Sequence, residues 1–321
     1  MAPEAASRPG AQLLEPAHLG SRRIEPIKVA VRRGAVTESL RTVHAVAVQD
    51  GEVVAEAGDG GLVTFMRSAA KPLQALPLVR ARGDLEVREV AIACASHLAR
   101  PEQIDAVRSL LAQAPASEHE LECGPAGHPP ERIKHNCSGK HAGMLALCRA
   151  HGWPSEGYRL AEHPVQQALQ AEVAAAAGVQ AEEIATAVDG CGVVTFALPL
   201  ERMAYAFSRL ESLAGGPRVA EAMRAHPELI RGNGAPDTQL MQLLEGWIAK
   251  GGAEGVHCAA SASGLGIALK VEDGNARALK PAIAEFLQRL GHPLEEFARV
   301  PLLNSRGDAV GEAVPAAGEE I

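Results

Sequence analysis

A serine and a lysine three residues apart, Ser68 and Lys71, stand where the sequence predicts the start of a helix. Residues three apart lie on one face of a helix, so the lysine amine can reach the serine hydroxyl. A serine becomes a strong nucleophile when a base takes its proton, and a lysine can be that base when burial or a nearby cation lowers its pKa. The spacing therefore fits a Ser–Lys nucleophile, although a capping serine beside a surface lysine more often explains this motif.

Two cysteines in separate segments, Cys137 and Cys191, could hold a zinc ion with a third protein ligand. His141 or His135 would be the ordinary third ligand, because removing the proton from Lys140 at pH 7 costs about 4.6 kcal/mol. The alternative is that both cysteines are small buried hydrophobic residues. Six cysteines scattered over 321 residues favour free thiols or metal ligands over a disulfide framework.

Two weaker candidates are the pair Ser96-His97 and the lysine Lys270. The pair places a hydroxyl and an imidazole at a predicted helix end, where a capping role is the more common one. Lys270 stands in a predicted strand among apolar neighbours, where it either points inward or marks an edge strand. Each motif is modest alone, and their combination is what indicates a catalytic site.

Apolar periodicity predicts the elements that must position these residues. It predicts strands at 27–31, 43–48, 53–57, 193–198, 256–262 and 266–271. It predicts helices at 68–79, 87–95, 101–112, 143–150, 165–177, 201–213, 238–250 and 278–290. Asp50-Gly51, between the second and third strands, is a dipeptide typical of a tight hairpin. Strands at both ends around a helix-rich middle predict an α+β fold with helices packed on one antiparallel sheet.

Composition narrows the class of protein further. The chain has 31 Lys and Arg against 39 Asp and Glu, a net charge of −8, which argues against nucleic-acid binding. No apolar stretch reaches the length of a membrane span, and the N-terminus lacks the pattern of a secretory signal. We therefore expect a soluble, cytoplasmic protein, with a disordered leader over 1–22 and a single catalytic unit over 23–321.

Five blocks in one order resemble the rhizobial-type L-asparaginases, also called class 3 or the asparaginase II family. The blocks are residues 65–77 around Ser68 and Lys71, 94–97, 136–144, 189–192 and 268–274. The likeness extends from about residue 24 to about residue 314. Because it covers nearly the whole chain, the resemblance is specific.

The resemblance implies a fold similar to serine β-lactamases, penicillin-binding proteins and serine-type glutaminases. It implies a homodimer that hydrolyses L-asparagine to L-aspartate and ammonia. By motif position it implies two catalytic pairs: Ser68 with Lys71, and Ser96 with Lys270. It also implies the zinc ligands Cys137, Lys140 and Cys191, and a supporting or substrate-contacting set of Arg67, His141, Asp189 and Gly192, with Asp189 orienting ligands.

Two segments depart from the family pattern. After Ser96-His97 the family continues with a small polar residue, Gly and Glu, whereas this chain has Leu98-Ala99-Arg100-Pro101. Residues 233–238 keep the Asp-Thr of the family but lack the arginine expected shortly before it, a place that Arg231 could take. The S-D-N and K-T-G motifs of β-lactamases are missing, which argues against a β-lactam substrate.

Three other functions stay open on the sequence. Another serine amidohydrolase, such as a glutaminase, would use the same Ser–Lys chemistry. In a zinc hydrolase, metal-bound water would attack and Ser68 would be structural. In a binding module that kept the fold, the chain would bind an amino acid without releasing ammonia. The presence of Ser68, Lys71, Ser96 and Lys270 together favours an enzyme over the module.

Overall fold

An antiparallel sheet of eight strands carries the helices of this protein. The computed structural model describes residues 25–316, so the leader predicted over 1–22 lies outside the described residues. The strands are β1 Ile27–Arg33, β2 Val36–Gln49, β3 Glu52–Ala57, β7 Trp247–Gly251, β8 Val256–Ser261, β9 Gly266–Val271, β10 Val300–Leu303 and β11 Ala309–Pro315. Their order is β10-β11-β1-β2-β9-β8-β7, with β3 also paired to β2. Segments from both ends of the chain thus share one sheet, as predicted.

The β2–β3 hairpin confirms the turn predicted at Asp50-Gly51. Both residues have a positive φ, 51° at Asp50 and 86° at Gly51. A two-residue turn with positive φ at both positions matches the twist of paired strands. The predicted β8–β9 hairpin is also present, with Val256 opposite Lys270.

The helices form the second component of the fold. They are α1 Lys71–Gln74, α2 Leu76–Ala81, α3 Val87–Ala93, α4 Pro101–Gln113, α5 Ser138–His151, α6 Pro164–Ala177, α7 Leu200–Ser208, α8 Gly216–Ala225, α9 Pro227–Ile230, α10 Pro236–Leu243, α11 Leu279–Arg289 and α12 Glu295–Ala298. Helix α7 packs on β2, β8 and β9, whereas α11 packs on β1, β9 and β11. Every residue of β8 and β9 is buried, because neighbouring elements cover the strands on both faces.

A small second sheet holds the segment that precedes Ser68. It consists of β4 Val63–Phe65, β5 Thr186–Val188 and β6 Val194–Pro199, in the order β4-β6-β5. The helix predicted over 68–79 is divided into a 3-10 turn, Arg67–Ala70, and the short helices α1 and α2. Each short helix has a proline in its first turn, where the missing N–H costs nothing.

The helix predicted over 238–250 is wrong in its second half. Helix α10 ends at Leu243, and Trp247–Gly251 is strand β7 at the edge of the large sheet. Gly246 has a φ of 78°, a conformation that ends a helix and that glycine adopts without strain. Lys250 therefore lies on an edge strand and not, as predicted, on a helix.

The antiparallel sheet and its helices confirm the α+β class. Within residues 25–316, every helix is too short or too polar to span a lipid bilayer. The single catalytic unit over 23–321 stays a prediction.

Candidate active site

The turn that carries Ser68 is fixed by the small sheet. The Met66 N–H donates to the carbonyl of Phe196 in β6 (2.8 Å), which anchors the chain just before the turn. Arg67 then adopts a φ of 51°, a left-handed conformation that is rare outside glycine. Backbone strain of this kind is concentrated at functional sites, where the surrounding structure holds it in place.

The side chain of Arg67 secures the same turn from outside. Its Nε donates to Oδ1 of Asp189 (2.7 Å), and Asp189 stands in the turn between β5 and β6. The same carboxylate oxygen accepts the N–H of Gly190, and Gly192 takes a φ of 89° to close the turn. Arg67 and Asp189 therefore form one supporting pair.

Lys71 is buried and contacts the second serine. Its Nζ donates to Oγ of Ser96 (2.9 Å), to the carbonyl of Ala95 and to Sγ of Cys137 (3.3 Å). Burial lowers the pKa of Lys71, and the charge of Lys140 lowers it further. A lysine with a lowered pKa can exist in the neutral form that a general base requires.

Ser68 and Ser96 line one pocket of about 200 Å³. The hydroxyl of Ser68 makes no hydrogen bond with residues 25–316, so the predicted Ser68–Lys71 contact is absent and Ser96 receives the amine instead. Hydrogen bonds of a catalytic group are often long or missing until the substrate binds. Ser68 and Ser96 therefore lie around the same pocket, and Ser96 is the serine that contacts Lys71.

Lys250 is a residue of the site that the sequence reasoning missed. It lies on edge strand β7, fully buried, and Nζ donates to Oδ2 of Asp237 (3.3 Å) and to the carbonyl of Gly251 (2.7 Å). Burial lowers the pKa of Lys250 to about 8, and the nearby charge of Lys71 acts in the same direction. Asp237 and Gly251 line the pocket, so Lys250 lies directly behind its wall.

The structure does not bring Lys270 to Ser96, and this part of the expectation needs correction. Lys270 Nζ donates to the carbonyls of Glu254 (2.8 Å) and Val271. Its strand, β9, lies two strands in from the edge strand β7 that borders the pocket. Lys250 lies closer to the pocket than Lys270 does, behind Asp237 and Gly251, and its pKa is lowered by the charge of Lys71. The sequence Lys250-Gly251-Gly252, a lysine before small residues at a strand end, was the feature that could have indicated it.

The two cysteines of the predicted metal site meet beside Lys71. Cys137 stands just before α5, and hydrogen bonding from the Cys191 thiol holds the pKa of Cys137 well below its usual range. The same hydrogen bond raises the pKa of Cys191, so the pair retains one proton. Lys140, one turn into α5, donates to Cys191 Sγ at 3.2 Å. Burial opposes its charge, but the fields of the two sulfurs raise the pKa of Lys140 above the usual value.

The histidines near this cluster are engaged elsewhere. Among residues 25–316, no group of three His, Cys, Asp or Glu side chains is arranged to hold a metal ion. His135 accepts the backbone N–H of Cys137 (3.1 Å), and His141 is hydrogen-bonded to the Tyr158 hydroxyl (2.7 Å). Neither histidine completes a ligand set with the cysteines. The two sulfur atoms and the amine of Lys140 converge; sulfur is a donor that zinc prefers, whereas the amine would have to lose its proton before it could bind a metal ion.

Comparison with known proteins identifies the family. The model of the L-asparaginase II family matches residues 29–315. The chain belongs to the L-asparaginase II family. This membership confirms the resemblance found in the sequence and makes the protein an amidohydrolase. A comparison with curated proteins finds no match.

Solved structures that resemble this chain at low identity include the following two. One is a probable glutaminase from Bacillus subtilis complexed with 6-diazo-5-oxo-L-norleucine: 15% identity over 78% of this chain and 85% of that chain, with a TM-score of 0.36. Another is a putative β-lactamase from Bacteroides dorei DSM 17855: 13% identity over 77% of this chain and 93% of that chain, with a TM-score of 0.43. At these values, the likenesses carry no information about substrate.

Two glycines allow the segments that form this site to approach each other closely. A Cβ on Gly139 would lie 2.1 Å from the carbonyl oxygen of Ile92, so only glycine lets α5 begin against α3. A Cβ on Gly252 would lie 2.5 Å from the carbonyl oxygen of Met66, where the end of β7 meets the turn before Ser68. A methyl group at either position would push apart elements that the site needs together.

His97 is buried as a neutral imidazole beside the site. Ser138 Oγ donates to the carbonyl of Ile133 (2.7 Å), so Ser138 accepts a hydrogen from His97 Nε2 (2.8 Å). The other ring nitrogen, Nδ1, accepts the N–H of Ala99 (3.1 Å). Burial, together with the charge of Lys71, lowers the pKa of His97 to about 4.

We therefore predict an acid sensitivity that depends on His97. Between pH 6.5 and 4 the unfolded chain protonates this histidine and the folded chain does not, so the free energy of unfolding falls with pH by about 3 kcal/mol. In His97→Gln this contribution is missing. Urea unfolding of both proteins at pH 7 and pH 4.5 measures it. If the difference in the free energy of unfolding between wild type and His97→Gln does not change with pH, His97 is not held neutral.

Proposed function

We propose that this protein hydrolyses L-asparagine to L-aspartate and ammonia, with Ser68 as the nucleophile. One observation carries the proposal: a buried lysine with a lowered pKa, Lys71, hydrogen-bonds Ser96 in a pocket that Ser68 also lines. The hydroxyl that contacts the amine is that of Ser96, and in this proposal it passes the proton of Ser68 to Lys71, which supplies the base that a serine nucleophile requires. Membership in the L-asparaginase II family supports the substrate.

The proton of Ser68 leaves through the hydroxyl of Ser96 to Lys71. Ser96 Oγ lies 2.9 Å from Lys71 Nζ. When the lysine is neutral, rotation of its amine turns the nitrogen lone pair toward Ser96 Oγ, and the amine can then accept the proton from Ser96. Ser68 Oγ then bonds to the side-chain carboxamide carbon, and the carbon–nitrogen bond breaks. Protonated Lys71 gives its proton to the amide nitrogen as that bond breaks, so that ammonia leaves, and water then hydrolyses the acyl ester to release aspartate.

Two backbone N–H groups are our candidates for stabilising the oxyanion. Neither the N–H of Ser68 nor that of Ala253 donates a hydrogen bond within residues 25–316, and both residues line the pocket. Free donors aimed at the developing charge act strongly in a site from which water is excluded. The open turn after β7 supplies one donor, and the strained turn at Arg67 supplies the other.

Zinc is the cofactor that we propose for the neighbouring cluster. Cys137, Lys140 and Cys191 would hold it, with Cys137 already favouring its thiolate form. When bound, zinc supplies a Lewis-acid charge beside the pocket. Because Ser68 and Lys71 already provide nucleophile and base, we assign the metal to substrate positioning. Asp189 supports the site through its contact with Arg67 rather than as a ligand.

Removing the metal is therefore expected to weaken binding more than it slows the chemistry. After dialysis against a chelator, the KM for L-asparagine should rise more than kcat falls, and added zinc should restore it. Zinc content by mass spectrometry is measured alongside the kinetics, with Cys191→Ala as the variant that cannot be reloaded. Complete loss of kcat on stripping would contradict the positioning role.

The substrate assignment is tested by ammonia release from L-asparagine and L-glutamine. The wild-type protein is expected to prefer L-asparagine in kcat/KM by at least about tenfold, since one methylene displaces the amide from the reacting serine. Preference for L-glutamine would make the protein a glutaminase with the same machinery. No ammonia from either amide, with the zinc content verified, would refute the proposed function.

Two further expectations accompany this function. The homodimer stays a prediction, which light scattering of the purified protein measures. The cytoplasmic location also stays a prediction, and fractionation of the producing cell tests it.

A further inference from the structure

The pocket beside Ser68 and Ser96 has an arginine in its wall, Arg231. Arg231 is the cationic side chain among the described residues that line the pocket. The anion in the same wall, Asp237, is already occupied: Oδ2 accepts the N–H of Gly251 (2.9 Å) and faces Lys250 Nζ (3.3 Å). Because Asp237 is held by Lys250 and Gly251, the cationic group of the lining that is available to an anionic ligand is Arg231.

The guanidinium of Arg231 has unused donors. One N–H, on Nη1, donates to the carbonyl of Ser96 (3.0 Å). The remaining N–H groups make no hydrogen bond within the described part of the chain, and the side chain is only half-buried at the pocket wall. A guanidinium presents donors in a planar fork that matches the two oxygens of a carboxylate.

The segment that carries Arg231 is held rigidly. The buried amide of Gln103 donates to the carbonyls of Glu228 (3.0 Å) and Arg231 (3.2 Å). Its oxygen accepts the N–H groups of the loop that departs from the family pattern, at Leu98 (2.9 Å) and Arg100 (3.2 Å). A donor on a fixed segment loses little freedom on binding, so its interaction contributes more fully to affinity.

We propose that Arg231 binds the carboxylate of the substrate and so makes the site specific for small amides that carry a free carboxylate. This inference rests on the proposed function, because it identifies what the pocket recognises beyond the amide. The contact of Arg231 with the Ser96 carbonyl places this recognition next to the catalytic hydroxyls. Substrates in which the carboxylate is missing or blocked should lose this interaction.

Three amides test the proposal by separating the carboxylate from the amine. L-Asparagine has both groups, succinamate has the carboxylate alone, and β-alaninamide has the amine alone. In Arg231→Ala we expect KM to rise about ten- to hundredfold for the first two, with kcat changed little. The kcat/KM for β-alaninamide should stay within about twofold of wild type. Arg231→Lys should restore part of the loss, because it keeps the charge without the fork.

A matched control and a binding assay distinguish failure of the proposed hydrolase function from failure of carboxylate binding by Arg231. Arg306→Ala removes an arginine that is 84% exposed in the turn between β10 and β11, and it should change none of these values. Calorimetry with succinate and with propylamine, which has an amine but no carboxylate, needs no turnover, so it applies even if the protein hydrolyses no amide. Loss of succinate binding in Arg231→Ala alone supports the inference. An equal loss with all three amides, or wild-type protein that binds no carboxylate, overturns it.

Discussion

Replacing Ser68 by alanine is expected to lower kcat for ammonia release from L-asparagine by about 10³- to 10⁶-fold. The substitution removes the nucleophile and leaves the turn intact, because the Ser68 hydroxyl makes no hydrogen bond with residues 25–316. The fold should therefore be unchanged, and L-asparagine should bind Ser68→Ala with near wild-type affinity. Stopped assays of ammonia together with calorimetric binding measure the two quantities separately.

The control for this variant is Ser212→Ala, which removes an exposed serine hydroxyl whose bond to the Arg209 carbonyl lies away from the pocket. Its kcat should equal that of wild type. Substantial activity in Ser68→Ala would move the chemistry to metal-bound water and refute the assignment of Ser68. Weak binding together with low activity would instead indicate a disturbed pocket.

Replacing Lys71 by methionine is expected to lower kcat by about 10²- to 10⁴-fold. Methionine fills a similar volume in the fully buried position, so the loss should come from the missing base and not from packing. The pH profile adds a second readout. Because burial lowers the pKa of Lys71, kcat/KM in wild type should rise with pH and level off below the ordinary lysine value of 10.5.

In Lys71→Met that rising limb should disappear, because no group remains to deprotonate. Lys28→Met serves as the control, since Lys28 bonds Thr42 between β1 and β2 and lies outside the pocket lining. A wild-type profile that is unchanged in Lys71→Met would show that another base acts. Residual activity with an intact limb would point to Lys250, whose pKa of about 8 makes it the alternative.

Local patterns in the sequence predicted the parts of the fold that depend on neighbouring residues. The Asp50-Gly51 turn and the two hairpins follow from turn chemistry and alternation over a few positions. Helix α5 begins at Ser138, five residues before the predicted start at 143, because its first residues, Ser-Gly-Lys-His-Ala, give no apolar periodicity. That difference matters, because it places Lys140 on the same helix that follows Cys137.

The site itself depends on contacts between distant segments. Lys71 meets Ser96, and Cys137 meets Cys191, across separations that no local pattern encodes. Family resemblance grouped Ser68, Lys71 and Ser96 in one site, but it paired Ser96 with Lys270, whereas Ser96 contacts Lys71. The apolar residues of β7 fit a helix as well as a strand, and pairing with β8 decides between them. The incorrect prediction of a helix over 238–250 is therefore the reason that Lys250 was not recognised as a residue near the pocket.

The most direct test of the account is the partitioning of its acyl-enzyme between water and hydroxylamine. Wild-type protein is incubated with L-asparagine and increasing hydroxylamine, and aspartate, its β-hydroxamate and ammonia are quantified together. If Ser68 carries the acyl group, the hydroxamate should form in proportion to hydroxylamine at the expense of aspartate, with ammonia equal to their sum. Ammonia and aspartate released at the full rate with no hydroxamate would mean that water attacks the amide directly, and the serine mechanism would be wrong.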